Sequence, residues 1–481
     1  MKPITLKIDG RTVAVEAGTS ILDAALANGV YIPHLCYHPQ LIPVGACRLC
    51  IVEIEGRPVT TSCNTPAADG MVVRTDTGEI NELRRVLVEL LIANHRGACL
   101  ECSTSTDCEL QKIARHVGVD EPRMKRLRRP EASAAIDSSN PFFERDMNKC
   151  VLCGICVRTC EEIQGACAID FAFRGYQTTI APFGNVPIAD SVCESCGECV
   201  VRCPTGALKP RNYVQPTREE RTICTYCGCG CGLYLGVRSG RVVSARGDAE
   251  NPAGRGNLCV KGRFGFDFLN SPERLTRPLV RRNGELQPAS WDEAFSLAAA
   301  ALSRHRGGSC AVISSAKITN EENYLVQKFA RAVLGTNNVD HCARLCHAPS
   351  VAGLAQSFGS GAMTNSISEI ASAACIFAVG TNTTVAHPII AMEVKRAVRN
   401  GAKLIVANPR EIDLARHADI SIRHRPGTDV ALLSGMARVI VDEKLFDADF
   451  IAARCDNSVS YTHLRAHETV LDLVCRLLLE K

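Results

Sequence analysis

The sequence predicts a multidomain chain of mixed α+β and α/β class, and three observations support this. Its 481 residues exceed what one hydrophobic core usually spans, since a domain takes roughly 150 residues. Groups of closely spaced cysteines occupy residues 36–259. From about residue 309, apolar runs such as ACIFAVG alternate with helical stretches, which is typical of a parallel sheet covered by helices.

Composition narrows the possible functions. A hydrophobic content of 46% and a mean hydropathy of +0.02 are ordinary, and no apolar run reaches the roughly 18–20 residues that span a bilayer. Residues 1–10 lack the apolar core and the twin arginine of export signals. A formal net charge of +4 is too small to indicate nucleic-acid binding. We therefore expect a cytoplasmic protein in which the clustered cysteines, which make up most of the 27, bind metal rather than form disulfides.

The first predicted element is a β-hairpin over residues 3–15, which alternate apolar and polar side chains around Asp9–Gly10. Thr19–Ser20 then opens a short helix that ends at Gly29. The loops that follow carry four cysteines, namely Cys36, Cys47, Cys50 and Cys63. Because a [2Fe–2S] cluster needs two thiolates per iron, this group predicts one such cluster.

An amphipathic helix is predicted from Glu79 to about Ala93. One histidine and three cysteines follow it, namely His95, Cys99, Cys102 and Cys108. A lone histidine at a helix end is usually a surface group, but three cysteines directly after it favour a metal ligand. Imidazole in place of one thiolate removes a negative charge from such a site. The polar residues 118–141, with a basic run over 125–129, are predicted to be a solvated linker.

Residues 147–204 contain one cysteine pattern twice, with spacings typical of bacterial two-cluster ferredoxins. In that pattern the fourth cysteine of each copy serves the cluster of the other copy. One [4Fe–4S] cluster would thus be held by Cys150, Cys153, Cys156 and Cys203. The other would be held by Cys193, Cys196, Cys199 and Cys160. Glu161 stands where the proline of the pattern would be in the first copy.

A last cysteine group follows residues 212–222, which are predicted to be a second linker. Its members are Cys224, Cys227, Cys231 and Cys259. A zinc ribbon is one alternative, because paired CxxC motifs also bind zinc, but the unequal spacings and the long gap fit it poorly. Cys229 lies inside the motif and off its spacing. Cys310 and Cys375 lie in apolar runs and are predicted to be core residues.

These groups resemble known iron–sulfur domains. The first, with its context VGACRLCIVEI, resembles the β-grasp [2Fe–2S] ferredoxin domain of respiratory complex I and of related dehydrogenase and hydrogenase subunits. The second resembles the [4Fe–4S] site with one histidine and three cysteine ligands that follows it there. The last resembles the proximal [4Fe–4S] site of molybdopterin oxidoreductases, in which a lysine at the position of Lys261 lies between cluster and pterin.

Residues 337–354 (NNVDHCARLCHAPSVAGL) resemble the active-site segment of formate dehydrogenases. The resemblance implies that Cys346 ligates molybdenum or tungsten, with His347 beside it, and that Cys342 is structural. A soft thiolate suits a high-valent metal already held by dithiolenes. The alternative is that Cys346 is an inert buried cysteine, as in a complex I subunit that kept the fold and lost the metal.

Three downstream turns resemble the positions where this family holds the guanine-dinucleotide arms of its bis-molybdopterin cofactor. Two of these turns follow predicted strands, and the third opens a predicted helix. In α/β sheets, ligands bind beyond the carboxyl ends of the strands, and phosphates bind at nearby helix N-termini. The residues concerned are Gly380, Asn382, Asn408, Arg410, Gly427 and Asp429.

The resemblance as a whole implies the α subunit of a cytoplasmic, NAD-linked formate dehydrogenase. Formate would become CO2, and electrons would pass through one [2Fe–2S] and four [4Fe–4S] clusters to partners. These would be a flavin- and NAD-binding diaphorase-type subunit and a small iron–sulfur subunit, because no G-x-G-x-x-G fingerprint occurs here. The alternative is a non-catalytic electron-transfer subunit, as in complex I or an NAD(P)-linked hydrogenase.

The expected division of the chain follows the motifs. The domains are 1–78 (β-grasp [2Fe–2S]), 79–118 (histidine-plus-three-cysteine [4Fe–4S]), 119–140 (linker), 141–212 (two-[4Fe–4S] ferredoxin), 217–273 (molybdopterin oxidoreductase [4Fe–4S]), 274–457 (incomplete α/β domain) and 458–481 (atypical tail). Formate dehydrogenases of this kind run further, and their later part holds the arginine that orients formate. We therefore expect a fragment that binds clusters but not the complete pterin cofactor, which formate-dependent dye reduction by the 481-residue chain would contradict.

Overall fold

The computed structural model describes residues 3–93, 95, 99, 102, 108–119, 121–127 and 134–456. The chain forms two compact units, Met1–Ser368 and Glu369–Lys481. No helix in these described ranges is long and apolar enough to cross a membrane. The predicted atypical tail, residues 458–481, lies outside them.

A five-stranded sheet opens the first unit, in the order β2-β1-β5-β3-β4. Strand β1 pairs with β5 in parallel and with β2 in the predicted hairpin, and Ser20 caps helix α1 by accepting a hydrogen bond from the Asp23 N–H. Leu6, Leu22 and Val73 are fully buried between this sheet and helix. The elements are β1 Pro3–Ile8, β2 Arg11–Glu16, α1 Ile21–Ala27, β3 Ile51–Ile54, β4 Arg57–Thr61 and β5 Val72–Arg74.

Three helices come next: α2 Gly78–Ala93, α3 Glu109–Val117 and α4 Glu121–Leu127. The prediction that 119–140 is a solvated linker is wrong where α4 lies, because α4 packs on α2. Arg123 of α4 forms an ion pair with the fully buried Glu89 of α2. The polar composition that suggested a linker therefore belongs to a helix that is held on α2 by an ion pair.

The two-copy cysteine segment folds around two small sheets and two one-turn helices. Asp137, from the predicted linker, also joins this fold by backbone pairing with Arg145. The elements are β6 Phe143–Arg145, α5 Ile155–Arg158, β7 Asp170–Ala172, β8 Thr179–Ala181, α6 Glu198–Val201 and β9 Leu208–Pro210. Strand β6 pairs with β9, and β7 pairs with β8, all antiparallel.

An antiparallel three-stranded sheet, β10-β11-β12, follows, with a short helix α7. Its elements are β10 Arg218–Ile223, β11 Gly232–Arg238, β12 Arg241–Gly247 and α7 Val260–Phe264. The predicted second linker over 212–222 is thus wrong from Arg218 onward. Strand β10 is an exposed, charged edge strand, and such a strand has the composition of a linker.

The rest of the first unit is an α/β segment. A hairpin precedes helix α8, and strands β15 and β16 then pair in parallel, as the alternating pattern predicted. The elements are β13 Leu279–Arg282, β14 Glu285–Pro288, α8 Trp291–Arg304, β15 Val312–Ser314, α9 Asn320–Lys328, β16 Val339–His341, α10 Ala343–Cys346 and α11 Ala348–Phe358.

The second unit is a parallel sheet in the order β17-β18-β19 with helices between its strands, which confirms the α/β class predicted for this part of the chain. Its core includes Val394, Leu404 and Leu414. Cys375, predicted to be a core residue, is exposed because it begins the edge strand β17, whereas Cys310 is buried. The elements are β17 Cys375–Val379, α12 Thr383–Ala386, α13 Pro388–Arg399, β18 Lys403–Ala407, β19 Ile420–Ile422, α14 Asp429–Asp442 and α15 Ala448–Arg454.

Candidate metal centres

The first cysteine group sits in the loops that leave and enter the five-stranded sheet, and three of its four thiols are buried. Cys36 and Cys47 form one hydrogen-bonded pair, and the Cys47 N–H also donates to the Cys36 sulfur at 3.4 Å. Cys50 and Cys63 form the second pair. Hydrogen bonds from their partners lower the pKa of Cys36 and of Cys50, while the same bonds raise the pKa of Cys47 and of Cys63. Two sulfur pairs therefore lie side by side in one loop system.

The second group is described only in part, at His95, Cys99, Cys102 and Cys108. The His95 Nδ1 lies 3.0 Å from the carbonyl oxygen of Lys149. The Cys108 sulfur lies 3.9 Å from the carbonyl oxygen of Pro204. Burial raises the pKa of the Cys108 thiol, and the charges of Cys102 and Cys99 add to this. Because Lys149 and Pro204 adjoin Cys150 and Cys203, this group borders the next one.

The repeated cysteines line two separate cavities. Cys150, Cys153, Cys156 and Cys203 line one cavity. Cys160, Cys193, Cys196 and Cys199 line the other. Each cavity thus gathers three cysteines of one copy and the fourth of the other. Burial raises the pKa of the Cys150 and Cys160 thiols to about 11, so metal binding here would release protons.

Both copies build the same turn around their first cysteine. The Leu152 N–H donates to the Cys150 sulfur, and the Ser195 N–H donates to the Cys193 sulfur, each at 3.4 Å. Both donors have positive φ, and a glycine with positive φ follows two residues later at the start of α5 or α6. At Gly197 a Cβ would lie 2.5 Å from the Cδ of Arg263, so only glycine allows that close approach. Amide donors aimed at sulfur suit thiolate ligands.

The last group lies between β10, β11 and α7. The backbones of Cys224 and Cys231 are hydrogen bonded at 2.8 Å, and Cys259 immediately precedes α7. Lys261 lines a cavity together with Cys224 and Tyr226. Cys229, which the spacing argument set aside, is buried and interacts with both Cys227 and Cys231. The proximity of Cys229 to these two cysteines could not be inferred from the ligand spacing. It arises from the C-x-C turns that Cys229 forms with each of them.

A buried network of ion pairs links these centres, and it was not predicted from the sequence. The Glu198 carboxylate pairs with Arg202 and Arg263 and accepts the Leu258 N–H at 2.8 Å. Burial alone would raise the pKa of Glu198. The charges of the two arginines and these hydrogen bonds outweigh burial, so the pKa lies below its usual value. The Arg263 Nε donates to the carbonyl oxygen of Cys196 at 2.9 Å. The only sequence signal for the network is the i, i+4 spacing of Glu198 and Arg202.

Arg158 connects the third cysteine group to the first through hydrogen bonds. It lies on α5 between Cys156 and Cys160, and its guanidinium donates to the carbonyl oxygens of Cys36 and Ile42. Arg202 also reaches that loop, where it donates to the Gln40 side chain. The loops of the first, third and last groups are therefore held together by buried guanidinium contacts.

The Cys346 segment follows the carboxyl end of the parallel strand β16. Cys346 and His347 are both exposed. Cys342 is exposed as well, and its sulfur accepts the Ala316 N–H at 3.4 Å, just beyond the end of strand β15. Cys342 thus connects the ends of the two strands.

In the second unit, the three predicted turns lie where the sequence suggested. Gly380 and Asn382 follow β17, while Asn408 and Arg410 follow β18, at one edge of the parallel sheet. The Asn408 side chain donates to the Thr381 carbonyl oxygen at 3.1 Å, so these two turns are in contact. Gly427, with φ of 82°, precedes Asp429, which begins α14 and lies 3.0 Å from the His424 Nε2.

Across the described residues, no three His, Cys, Asp or Glu side chains converge closely enough to hold a single metal ion. A cluster differs from a single ion because several metal atoms stand between its thiolates and keep them further apart. The cysteines that line the two cavities form two sets of four thiols, a donor set that fits iron–sulfur clusters. The arrangement defines the class of molecule: a chain of iron–sulfur domains joined to an α/β domain.

Four family models match this chain. They are a 2Fe-2S iron-sulfur cluster binding domain at residues 1–78, the NADH-ubiquinone oxidoreductase-G iron-sulfur binding region at 84–123, the molybdopterin oxidoreductase Fe4S4 domain at 217–271 and molybdopterin oxidoreductase at 274–454. The third match favours a [4Fe–4S] domain over the zinc ribbon that the spacing left open.

Curated relatives match nearly the whole chain. The Bacillus subtilis (strain 168) protein named "Putative formate dehydrogenase YrhE" is 33% identical over 96% of this chain and 52% of its own length. A Staphylococcus aureus (strain USA300) protein also named as a putative formate dehydrogenase is 32% identical over 95% of this chain and 51% of its own length. The chain spans about half the length of the curated relatives it matches.

Two solved structures are similar over part of the chain. A chain of an NAD+-reducing [NiFe]-hydrogenase in the H2-reduced state shares 33% identity, with a TM-score of 0.41 over 45% of this chain and 90% of that one. Acetylene hydratase from Pelobacter acetylenicus shares 25% identity, with a TM-score of 0.45 over 53% of this chain and 36% of that one.

The family matches and the relatives agree with the resemblance that the motifs suggested. Residues 217–271 and 274–454 match molybdopterin oxidoreductase domains, and [2Fe–2S] and [4Fe–4S] domains precede them in the chain.

Proposed function

We propose that this chain serves formate oxidation, in which formate loses two electrons and one proton and leaves as CO2. The observation that carries the proposal is the exposed Cys346–His347 pair after a parallel strand, in a chain whose relatives are named as putative formate dehydrogenases. Because the chain spans about half of those relatives, the activity is proposed for the whole protein.

The metal centre would be molybdenum or tungsten held by two molybdopterin guanine dinucleotides. Cys346 would supply its thiolate ligand, a soft donor that suits such a metal. When bound, this cofactor supplies a two-electron acceptor for formate. The exposed imidazole of His347 would take up the proton that formate releases.

Further residues of this chain are proposed to interact with the cofactor. Lys261, beside Cys224 in its cavity, would offset the charge of the nearest cluster with its ammonium group. The guanine-dinucleotide arms would bind at Gly380, Asn382, Asn408, Arg410, Gly427 and Asp429. Turns at the carboxyl edge of a parallel sheet, and a helix that begins at Asp429, support this.

Electrons would leave through five clusters. One [2Fe–2S] cluster would sit at Cys36, Cys47, Cys50 and Cys63, and four [4Fe–4S] clusters would sit at the other groups. The two cavities with swapped fourth cysteines, and the contacts of His95 and Cys108 with neighbours of Cys150 and Cys203, support a continuous route.

The electrons would reach a flavin- and NAD-binding partner subunit, with a small iron–sulfur subunit, in the cytoplasm. The match of residues 84–123 to a region of an NADH-ubiquinone oxidoreductase supports a partner of this kind. The same match favours a second candidate, a non-catalytic electron-transfer subunit. The two candidates differ in the metal expected at Cys346.

The test uses the full-length protein with its partners, purified without oxygen. Formate should bleach the visible absorption of the clusters, and metal analysis should find molybdenum or tungsten. Cys346→Ser should abolish formate-dependent bleaching, while dithionite still reduces the clusters. Cys375→Ser is the matched control, because Cys375 is an exposed cysteine outside every proposed ligand set.

Iron without molybdenum or tungsten would favour the second candidate. Full bleaching by formate in Cys346→Ser would contradict the proposed ligand. A protein that contains molybdenum but gives no response to formate would contradict the proposed substrate.

A further inference from the structure

A buried arginine stands beside the first cysteine group. Arg84, on α2, is only 1% exposed. Its guanidinium donates to the carbonyl oxygens of Leu49 at 3.0 Å, Ile51 at 2.7 Å and Thr75 at 2.8 Å. The α2 helix follows the [2Fe–2S]-type domain in the chain, yet its arginine is anchored inside that domain.

The charge of Arg84 is not matched by a carboxylate in contact. None of the ion pairs identified among the described residues includes Arg84, and the side-chain oxygen to which it donates among them is that of the Asn81 amide, at 3.5 Å. The carboxylate of Asp9 is engaged by the Thr75 N–H and hydroxyl, and that of Asp76 accepts from the Asn81 amide. An unpaired buried charge is costly, so a role for it is expected.

Arg84 is close to one particular thiol. Leu49 and Ile51, whose carbonyl oxygens it binds, flank Cys50 on both sides. Burial lowers the pKa of Arg84, whereas the charges of Asp76, Cys50 and Asp9 raise it, so the arginine and the Cys50 thiolate interact electrostatically. Low-dielectric surroundings strengthen such an interaction.

We propose that Arg84 tunes the reduction potential of the cluster held by Cys36, Cys47, Cys50 and Cys63, by placing a fixed positive charge beside it. The proposal rests on the proposed [2Fe–2S] site. One-electron reduction adds one negative charge to a site that already carries four thiolates, and no proton is required. A buried cation stabilises the reduced form more than the oxidised form and therefore raises the potential. Arg84 is thus a tuning and positioning residue, not a ligand.

The test is a redox titration of the full chain, with the reduced [2Fe–2S] signal followed by electron paramagnetic resonance. Arg84→Gln should lower the ratio of reduced to oxidised cluster at a fixed ambient potential about tenfold, which corresponds to about 59 mV for one electron. Arg84→Lys, which keeps the charge, should stay near wild type. Arg85→Gln is the matched control, because Arg85 is the next residue on the same helix but is exposed and paired with Glu82.

A second variant covers the case in which Arg84→Gln fails to fold. Asn81→Asp keeps the arginine but places a carboxylate beside its guanidinium, and it too should lower the potential. An unchanged potential in either loaded variant would overturn the proposal, as would an equal fall in Arg85→Gln. Absence of any [2Fe–2S] signal in the wild-type chain would instead contradict the cluster assignment, so the two failures are distinguishable.

Discussion

The iron–sulfur part of the first unit and the α/β segment that follows it differ sharply in burial. The described residues between 3 and 270 form extensive hydrophobic clusters and include buried charges such as Arg84, Glu89 and Glu198. In residues 274–368, all of which the structure describes, helices α8 and α11 contain no buried residue. Large apolar side chains such as Trp291 and Phe295 are 62% and 63% exposed.

The difference in burial shows which contacts hold each part of the chain together. The iron–sulfur part buries its own apolar surface and uses buried ion pairs to join its loops. The described α/β segment has regular helices and strands, but the apolar side chains of its helices α8 and α11 are not buried. The two parts should therefore respond differently to the same kind of substitution.

The largest expected contrast concerns ion pairs. Glu198→Ala leaves Arg202 and Arg263 buried without their carboxylate, and we expect it to lower the free energy of unfolding by about 3–5 kcal/mol. Glu293→Gln breaks an exposed pair with Arg282 in the α/β segment and should cost about 0–1 kcal/mol. Denaturant unfolding, followed by loss of cluster absorption and by circular dichroism, measures both. Equal effects would contradict the contrast.

A slightly smaller contrast is expected for apolar side chains. Leu22→Ala opens a cavity in the core of the five-stranded sheet and should cost about 2–5 kcal/mol. Leu297→Ala removes a side chain of α8 that is 50% exposed and should cost within about 0.5 kcal/mol. The same denaturant-unfolding measurement tests this contrast between the two variants. A large loss in Leu297→Ala would mean that α8 is covered in solution.

The smallest effect should be a pH dependence at Asp137. Burial alone would raise the pKa of Asp137, but hydrogen bonds from Ser139 and Ile188 and the charge of Arg145 hold it below its usual value. A carboxyl whose pKa is depressed on folding stabilises the protein above its unfolded pKa of about 3.9, and this stabilisation is lost as the pH falls through the folded value.

Asp137→Asn should therefore be less stable than wild type near neutral pH, with the difference shrinking as the pH drops below about 4. Melting temperatures across a pH series provide the measurement. Asp292→Asn, at an exposed position of α8, is the control and should show no such trend. A difference between Asp137→Asn and wild type that persists unchanged in acid would contradict the proposed cause.

Local patterns predicted much of this molecule. The hairpin around Asp9–Gly10, the cap at Ser20 and the parallel strands of the second unit depend on neighbouring residues, and all are found. The cysteine spacings indicated the iron–sulfur and molybdopterin domains that the family models match. Spacing carries this information because each cluster takes most of its ligands from one short loop.

Long-range contacts could not be predicted. Glu198 meets Arg263 across 65 residues, and Arg158 meets Cys36 across 122 residues, so no local pattern contains either pair. The helix α4 and the strand β10 were mistaken for linkers because their polar residues find partners elsewhere in the fold, as Arg123 does at Glu89. The exposure of Cys375 likewise depends on strand order, which makes β17 an edge strand.

The most direct test of the central claim, that this chain carries five iron–sulfur clusters, is the iron and acid-labile sulfide content of the chain after anaerobic reconstitution. One [2Fe–2S] and four [4Fe–4S] clusters predict about 18 iron atoms per chain, with no zinc. About 14 iron atoms with one zinc would contradict the cluster assigned to Cys224, Cys227, Cys231 and Cys259.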